Sequence, residues 1–382
     1  MFDLAVIGGG PAGAAAALAA RRQGLRVAVW DRDRFPRHKV CGEFISPEAL
    51  PWLQQEVPEI LARGAAIHRA EFVSRNGLQR GFKLPHSARG LSRYALDASL
   101  WKAAARAGIE MHEGEAIRSV RKLGGPGEVD VWELESSGGL ITKAKTLIVA
   151  CGRWWRIEGF PSPARQAKPA EEWVGAKAHF AGLELRGSVE MYLFRGGYCG
   201  LAPIEDKVYN VCCLVHRERL RDAGLSGVED LSAWLTQVSC HPGLEARLRG
   251  AEQVSPVVTT APVRLARRSA DQNGALLVGD ASGFIDPFTG EGISMALHSG
   301  RLAGNAIAES WAGGLGCERA VEVYRKNLSR AVRHSYRIAG LARALIEAPA
   351  WVQNLSATPL PWLGSWLLRE TRWRAAPVHE SL

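Results

Sequence analysis

The feature that most constrains this chain is a glycine-rich turn near its start, set between an apolar strand and an alanine-rich helix. The strand is predicted over Asp3–Ile7, the turn Gly8–Gly13 reads GGGPAG, and the helix runs to about Gln23. A second strand over Arg26–Trp30 ends at Asp31. A GxGxxG turn in this strand–helix–strand context predicts an α/β unit that binds a dinucleotide, rather than a glycine-rich turn of an unrelated fold.

The glycines of this turn have different physical roles. Gly8 permits the tight turn, Gly10 lets a pyrophosphate approach the backbone, and Gly13 allows the helix to pack closely on the strand. The N–H groups of the helix N-terminus face the phosphates, and Asp31 is placed to bind ribose hydroxyls. The contacts predicted in this turn are Gly8, Gly10, Pro11, Ala12 and Gly13.

A second glycine-rich turn follows a buried strand predicted over Ala275–Val278 and precedes a long helix that begins near Ile293. An acid at the end of such a strand can bind ribityl hydroxyls, and backbone N–H groups of the turn can reach the pyrimidine edge of a flavin. The positive end of the helix stabilises negative charge on a reduced ring. The alternative is a helix cap and an ordinary turn. The predicted contacts are Gly279, Asp280, Pro287, Gly290, Gly292 and Ile293.

A basic segment follows Asp31 and continues to Glu43. Such a cluster suits an anionic dinucleotide, and the alternative is a solvated basic loop. Residues 46–48 (Ser-Pro-Glu) then predict a helix start with Ser46 as N-cap. The other predicted elements are a hairpin over 71–84 with Asn76-Gly77 at its turn, a helix over 94–107 preceded by Arg93, a three-stranded meander over 116–150, strands over 173–215 and helix over 229–250.

Composition excludes several classes of protein. The 382 residues contain 47% hydrophobic and 23% charged residues, which is typical of a globular protein, and no apolar run is long enough to predict a transmembrane helix. Seven cysteines without a CxxC pair predict a reducing, cytoplasmic environment and no metal site. The net charge of +9 favours anionic partners, but the basic residues are scattered, so we expect no nucleic acid.

With these motifs the chain resembles the FAD-dependent oxidoreductases of the p-hydroxybenzoate hydroxylase fold, most closely the geranylgeranyl reductases, with flavin-dependent halogenases nearby. Four segments carry the resemblance: the first turn with Asp31, residues 39–43 (KVCGE), Arg93 before a helix containing Asp97, and residues 279–293. The resemblance implies FAD as the cofactor. It adds to the predicted contacts Arg32, Lys39, Cys41, Gly42, Arg93 and Ala116.

The resemblance also implies an architecture. We expect an α/β, Rossmann-like FAD-binding domain built from discontinuous segments, a β-rich substrate domain and a C-terminal helical region. The predicted boundaries are 1–70, 93–160 and 271–340 for the FAD-binding domain, 71–92 for a hairpin of the substrate domain, 161–270 for the rest of that domain, and 341–382 for the helical region.

A fifth segment bears on the substrate. Reductases of this branch carry a YxWxFPxxxxxNVGxG motif along the pocket, and here Tyr198–Pro203 with Asn210-Val211 matches it. Gly200 and Ala202 replace the two aromatic residues, which predicts a larger pocket. Halogenases carry WxWxIP at this place, and the absence of both tryptophans argues against halogenation. Lys83 is a candidate halogenase-like lysine, but an exposed hairpin lysine is the simpler interpretation.

Three residues are candidates for catalysis. Cys41, beside the flavin by family analogy and close to Lys39, has either thiolate character or a packing role. Glu43 and Tyr198 are candidate proton donors, and we expect an apolar flavin pocket to raise the pKa of the Glu43 carboxyl. Cys151 stands where many relatives have Asp before Gly, which argues against direct hydride transfer from NAD(P)H to the flavin. The electron donor is either NAD(P)H or a small acidic carrier protein, which the net positive charge would attract.

The function predicted from these observations is the reduction of carbon–carbon double bonds in an apolar isoprenoid- or polyketide-like substrate. The alternatives are oxygen transfer by a flavin monooxygenase, less so halogenation, and a flavin-binding partner protein without turnover. The segment Trp351–Arg374 holds four tryptophans with leucines among them, and Arg369, Arg372 and Arg374 lie towards its end. It either contacts the inner membrane surface peripherally or closes a pocket of its own domain.

Overall fold

The structure is a computed structural model that describes residues 1–124, 130–161, 173–224, 227–263, 266–267, 269–284 and 287–347, with side chains described up to Val332 except at 266–267. The predicted aromatic segment Trp351–Arg374 lies outside the described residues. No described helix is long and apolar enough to cross a membrane.

The described strands are β1 (Phe2–Ile7), β2 (Val27–Asp31), β3 (Phe44–Ile45), β4 (Ala65–Val73), β5 (Gln79–Gly90), β6 (Glu110–Glu113), β7 (Ile117–Leu123), β8 (Val131–Ser136), β9 (Ile141–Val149), β10 (Trp173–Ala181), β11 (Ser188–Phe194), β12 (Gly197–Pro203), β13 (Tyr209–His216), β14 (Glu252–Gln253), β15 (Val258–Val263), β16 (Ala266–Arg267), β17 (Asp271–Gln272), β18 (Ala275–Leu277) and β19 (Gly283–Phe284). The described α-helices are α1 (Pro11–Arg22), α2 (Leu50–Glu56), α3 (Pro58–Arg63), α4 (Arg93–Arg106), α5 (Arg217–Asp222), α6 (Leu231–Ser239), α7 (Pro242–Leu248), α8 (Gly292–Ala312) and α9 (Gly316–Glu347).

The first sheet has the strand order β17-β18-β9-β1-β2-β6, and β7 and β8 extend it as an antiparallel meander with β9. Strands β18, β9, β1, β2 and β6 are parallel. Because parallel strands end at one edge, the turns after β1, β2 and β18 meet there, as is usual for ligand sites in α/β folds. The sequence therefore places both glycine-rich turns at the same edge.

Helices α1 and α8 pack tightly against each other, and glycines make this possible. A Cβ added at Gly300 would overlap the Ala12 carbonyl oxygen, and one at Gly304 would overlap the Ala16 carbonyl oxygen. The alanine-rich side chains of α1 are buried over most of its length. The close approach places Ala12, in the first turn of α1, against Gly300 in α8, and a Cβ at Gly279 of the second glycine-rich turn would also meet Ala12, at 2.9 Å.

The second sheet has the order β14-β10-β13-β12-β11-β4-β5-β3, with β15 beside β10. The predicted hairpin is confirmed: β4 and β5 pair, and Gly77 takes a positive φ of 80° in the turn between them. Strand β4 begins at Ala65, so the boundary predicted between residues 70 and 71 falls inside a strand. Residues 229–250, predicted as helix, form two helices, α6 and α7, separated by Cys240 in a left-handed conformation.

The helix start predicted at Ser46 is confirmed in position, because Ser46 is the N-cap residue of a short 3-10 turn over Pro47–Ala49 that leads directly into α2. The Ser46 side chain makes no capping hydrogen bond, however. Its hydroxyl lies 2.6 Å from that of Ser294 in α8. Both hydroxyls are buried, and each needs a partner, so the hydrogen bond between the two segments is the more favourable arrangement.

Candidate cofactor and substrate site

One cavity of about 1290 Å³ is lined on one side by the turns that follow the strands of the first sheet and on another side by residues of the second sheet. The predicted contacts that line it are Gly8, Gly10, Pro11, Ala12, Asp31, Arg32, Lys39, Cys41, Gly42, Arg93, Ala116, Gly279, Asp280, Pro287, Gly290, Gly292 and Ile293. Gly13 lies behind this wall, where a Cβ would overlap the Gly8 carbonyl oxygen, so it acts in packing. The contacts of the other residues with FAD remain predictions.

The first turn fits a dinucleotide phosphate. Gly8 has φ +108°, a region that favours glycine, and a Cβ there would collide with the Ala150 carbonyl. Gly10 is the N-cap of α1 and has no side-chain cap, so the first N–H groups of the helix remain available to a ligand. A Cβ at Gly10 would lie 3.7 Å from Nη2 of Arg93. The helix N-terminus and a guanidinium thus face the same space.

The Arg93 guanidinium is held by Asp97, one turn further along α4. Its Nε and Nη2 donate to the two Asp97 carboxylate oxygens at 2.6 and 2.7 Å. Burial by itself lowers the pKa of Arg93, but the Asp97 carboxylate outweighs it and raises that pKa above its usual value. The charge of Asp280 acts on it in the same direction. Arg93 therefore stays charged and fixed beside the Gly10 turn.

Asp31 is buried at the end of β2, and its carboxylate already has several partners. It accepts hydrogen bonds from the Gly9 N–H at 2.7 Å and the Asp33 N–H at 2.9 Å. The Arg37 guanidinium binds both of its oxygens, with Nη2 at 2.8 Å. A ribose hydroxyl at this carboxylate would share it with Arg37. The sequence analysis did not single out Arg37, because only the folded loop brings it back to β2.

The basic segment is tied into the fold rather than being a solvated loop. Lys39 Nζ donates to the Asp33 carboxylate at 2.8 Å, and Arg37 contacts the same carboxylate at 2.9 Å. Burial by itself raises the pKa of Asp33, but Lys39 and the nearby arginines together outweigh it and hold that pKa below its usual value. Arg32 is exposed and lies 3.6 Å from Asp33. The loop therefore presents ordered positive charge along the cavity.

The second turn contacts the loop that follows the basic segment. Gly279 has φ +59° and Gly290 has φ +69°, and these left-handed backbone conformations favour glycine. A Cβ at Gly290 would lie 2.9 Å from the ring of Phe44. Helix α8 begins at Gly292, as predicted, with Ile293 buried. The two glycine-rich motifs, far apart in sequence, form one continuous wall.

The expectation that the pKa of Glu43 is raised is wrong. Burial alone raises it, but the charge of Lys177 and the hydrogen bond from His179 outweigh burial and hold the pKa of the Glu43 carboxyl below its usual value of 4.5. Its Oε1 contacts Lys177 Nζ and accepts from the Arg93 N–H at 2.7 Å, and its Oε2 lies 2.7 Å from His179 Nε2. An ionised carboxylate with these partners is not a proton donor at neutral pH.

Of the two roles left open for Cys41, the structure favours packing over thiolate character. Burial raises the pKa of the Cys41 thiol, and Arg93 offsets only part of this effect, so the group is a neutral thiol at neutral pH. Its sulfur lies 3.4 Å from the Glu43 N–H, and its carbonyl accepts from Asn210 Nδ2 at 3.0 Å. Burial likewise raises the pKa of Cys151 to about 12. Both thiols are therefore packing groups on the cavity wall.

The wall from the second sheet is mostly apolar. Tyr198 is buried, lines the cavity and meets the ring of Phe288 edge-on, with ring centroids 5.4 Å apart. Lys83 is exposed, whereas its neighbours on β5 point into the cavity. The apolar and small residues of this wall are Ala70, Phe72, Phe82, Leu84, Val189, Met191, Tyr198, Gly200 and Ala202, and Phe284 and Phe288, which lie outside the second sheet, line the cavity beside them.

The functional groups that sequence reasoning missed are Lys177, His179 and Arg37. Lys177 and His179 are two residues apart on β10, so both side chains lie on the same face of the strand, and both contact Glu43. A lysine and a histidine with period two inside an otherwise apolar strand was the available signal. Among the described residues, no group of histidine, cysteine and carboxylate side chains is arranged to hold a metal ion.

Comparison with known proteins agrees with this geometry. Residues 3–152 match the family described as FAD dependent oxidoreductase. The chain is 29% identical over 322 residues to digeranylgeranylglycerophospholipid reductase 2 of Methanopyrus kandleri, which covers 81% of this chain and 77% of that protein. It is 25% identical over 348 residues to tryptophan 2-halogenase of Chondromyces crocatus, covering 84% of this chain.

The chain is also 27% identical over 344 residues to conditioned medium factor receptor 1 of Dictyostelium discoideum, covering 81% of this chain. The matched part spans 64% of the length of that receptor and 64% of the halogenase.

Solved structures share the fold over nearly the whole chain. The flavin-dependent brominase Bmp2 superimposes with a TM-score of 0.77 at 20% identity and covers 98% of this chain and 94% of that one. A geranylgeranyl bacteriochlorophyll reductase-like protein from Thermoplasma acidophilum gives 0.74 at 18% identity, covering 95% and 91%. The family match over residues 3–152 and the shared fold make the chain similar to FAD-dependent oxidoreductases, among them proteins named as geranylgeranyl reductases and flavin-dependent halogenases.

Proposed function

We propose that this protein reduces carbon–carbon double bonds of an apolar substrate of the isoprenoid or polyketide class. Bound FAD, once reduced by NAD(P)H or an acidic carrier protein, supplies the hydride. The chain's own residues bind the substrate, keep water from the reacting carbons and deliver the proton that completes the reduction.

The observation that carries the proposal is the apolar wall opposite the glycine turns. Its aromatic and aliphatic side chains come from β4, β5, β11 and β12, with Phe284 and Phe288 at its edge. A surface of this kind binds a hydrocarbon through the hydrophobic effect and offers few polar groups to orient a charged substrate. Gly200 and Ala202 leave room for a chain thicker or more bent than aromatic residues would admit.

The same wall disfavours halogenation. Lys83, the halogenase-like candidate, is exposed on β5 and does not line the cavity. Among the described residues of the cavity the lysine is Lys39, which is paired with Asp33 at the ribose end. The similarity to a protein named as a digeranylgeranylglycerophospholipid reductase supports the reductive assignment.

Tyr198 remains the candidate proton donor. It is buried on β12 and lines the cavity together with Gly200 and Ala202 of the same strand. These three residues alternate, so one face of β12 forms this part of the wall. Glu43 is unsuited to the role because its carboxylate is ionised and fully engaged.

A second candidate is an oxygen-dependent reaction, favoured by the fold shared with the brominase Bmp2. The reductase and the oxygen-dependent enzyme differ in what reoxidises the reduced flavin, which is the substrate in the first case and oxygen in the second. The test uses two samples of photoreduced holoprotein. One is mixed anaerobically with digeranylgeranylglycerophospholipid, and the other is mixed with oxygen, chloride and tryptophan.

We expect anaerobic return of the oxidised flavin spectrum with the lipid, and a product heavier by two hydrogens for each double bond reduced. A Tyr198→Phe variant should slow this step by about a hundredfold or more, which is the usual contribution of a general acid. An oxygenated or halogenated product, formed only with oxygen, would replace the reductase assignment by the oxygen-dependent one.

A further inference from the structure

We propose that Lys177 and His179 are positioning residues for the flavin. Acting through Glu43, they hold the loop of residues 39–44 in the conformation in which it lines the cavity predicted to bind FAD. The inference concerns FAD binding itself and does not depend on which reaction the protein catalyses.

The three side chains form a buried charged cluster between the two sheets. The side chains of Glu43 and Lys177 are 0% exposed, and that of His179 is 8% exposed. Lys177 contacts one carboxylate oxygen of Glu43 and His179 lies 2.7 Å from the other. The Arg93 N–H donates to the first oxygen at 2.7 Å, so α4 also meets the cluster. Every contact joins segments that are distant in sequence.

The second sheet holds the loop at every second residue. Lys177 Nζ lies 3.4 Å from the Lys39 carbonyl oxygen, and Asn210 Nδ2 donates to the Cys41 carbonyl at 3.0 Å. The third attachment is the Glu43 side chain. Between these attachments the loop lines the cavity, and Gly42 is exposed at its surface.

Glu43 also has an unusual backbone conformation. Its φ is +55°, which residues with a side chain seldom adopt, and its carbonyl accepts from the Leu91 N–H at 3.0 Å. The next residue, Phe44, contacts Gly290 of the second flavin turn. The ion pairs of Glu43 therefore hold a disfavoured backbone at the point where the two flavin motifs touch.

A purely structural role does not require charge. Burying an ion pair costs desolvation of both partners, and apolar side chains of similar volume often give equal or greater stability. Removing one partner leaves an uncompensated charge on the cavity wall, and it releases the loop. The cofactor should feel both effects, because Glu43 itself lines the cavity.

The chain offers a matched control in the same sheet. Glu190 on β11 is buried and is bound by Arg247, whose Nε lies 2.9 Å from it. Its neighbours Val189 and Met191 line the cavity, so Glu190 points to the opposite face. Arg247→Met therefore removes the partly exposed cationic partner of a buried carboxylate, on the face of β11 that points away from the cavity.

The experiment compares Lys177→Met with Arg247→Met in the full chain. Each is measured for thermal unfolding without FAD, for FAD dissociation constant by flavin fluorescence, and for midpoint potential of the bound flavin. We expect both variants to unfold at lower temperature. We expect Lys177→Met alone to raise the FAD dissociation constant by about tenfold or more and to shift the potential.

Two further variants keep the test decisive if Lys177→Met does not fold. His179→Gln retains a hydrogen-bond donor and should weaken FAD binding less than His179→Leu. Glu43→Gln combined with Lys177→Met removes both charges, and its FAD affinity should exceed that of Lys177→Met alone. The inference is overturned if the Lys177 and His179 variants keep wild-type FAD affinity and potential while losing stability as Arg247→Met does.

Discussion

At the scale of single residues, the site is governed by which neighbours surround each ionisable group. Asp31 and Glu43 are both buried carboxylates whose oxygens are bound by donors from another part of the chain, and at Glu43 these donors hold the pKa below its usual value. Cys41 lies in the same loop as Glu43, but burial dominates there and raises the pKa of the thiol. Neither carboxylate nor thiol chemistry follows from residue type alone.

Asp31→Ala should leave the purified protein with much less FAD. The substitution removes the carboxylate that we predict to bind the ribose and frees Arg37, and losing hydrogen bonds to a charged group corresponds to roughly a tenfold or greater loss of affinity. The ratio of flavin to protein absorbance after purification measures it. Asp3→Ala is the control, because Asp3 pairs with Lys145 away from the cavity. Full flavin occupancy in Asp31→Ala would refute the assigned role.

At the scale of elements, the contact between α1 and α8 supports the cofactor turns. Gly300 and Gly304 lie one turn apart on α8 and receive the backbone of α1 so closely that neither has room for a Cβ. Helix α1 contributes Gly10 as its N-cap, and α8 begins at Gly292. A change in their spacing therefore moves both glycine-rich turns.

Gly300→Ala should destabilise the protein although alanine favours helices. A Gly→Ala change inside an exposed helix normally stabilises by about 0.5–1 kcal/mol, whereas overpacking a tight interface costs about 1–3 kcal/mol. We expect a lower thermal midpoint without FAD and weaker FAD binding. Chemical denaturation of the apoprotein measures the sign. An increase in unfolding free energy would show that the interface yields without strain.

At the scale of the whole molecule, the cavity exists only because two sheets face each other. The first sheet contributes the glycine turns, and the second contributes the apolar wall and the cluster around Lys177. Gly200 lies on that wall beside Met191, whose sulfur would be 3.0 Å from a Cβ at this position. The volume available to a substrate thus depends on these two neighbouring strands.

Gly200→Trp should weaken substrate binding while leaving FAD in place. The indole would displace Met191 and fill the apolar part of the cavity, so we expect the dissociation constant for digeranylgeranylglycerophospholipid to rise by about tenfold or more. Perturbation of the flavin absorbance by the lipid measures this constant. Gly200→Ala serves as the matched control with a smaller effect. If the tryptophan variant bound the lipid as tightly as the wild-type protein does, Gly200 would not line the substrate site.

The sequence by itself determined the local parts of this protein. The strand–turn–helix units, both glycine-rich turns, the hairpin at Asn76-Gly77 and the meander all follow from hydrophobic period and glycine placement, which act over a few residues. The resemblance carried by these motifs was enough to indicate FAD and the oxidoreductase fold.

Only the tertiary structure decided how the site is charged. The contact of Glu43 with Lys177 joins residues 134 positions apart, and that with His179 joins residues 136 apart. Arg37 reaches Asp31 only because its loop folds back. A pKa depends on burial and on charges in space, so these long-range partners made Glu43 an anchored anion and left Cys41 a neutral thiol.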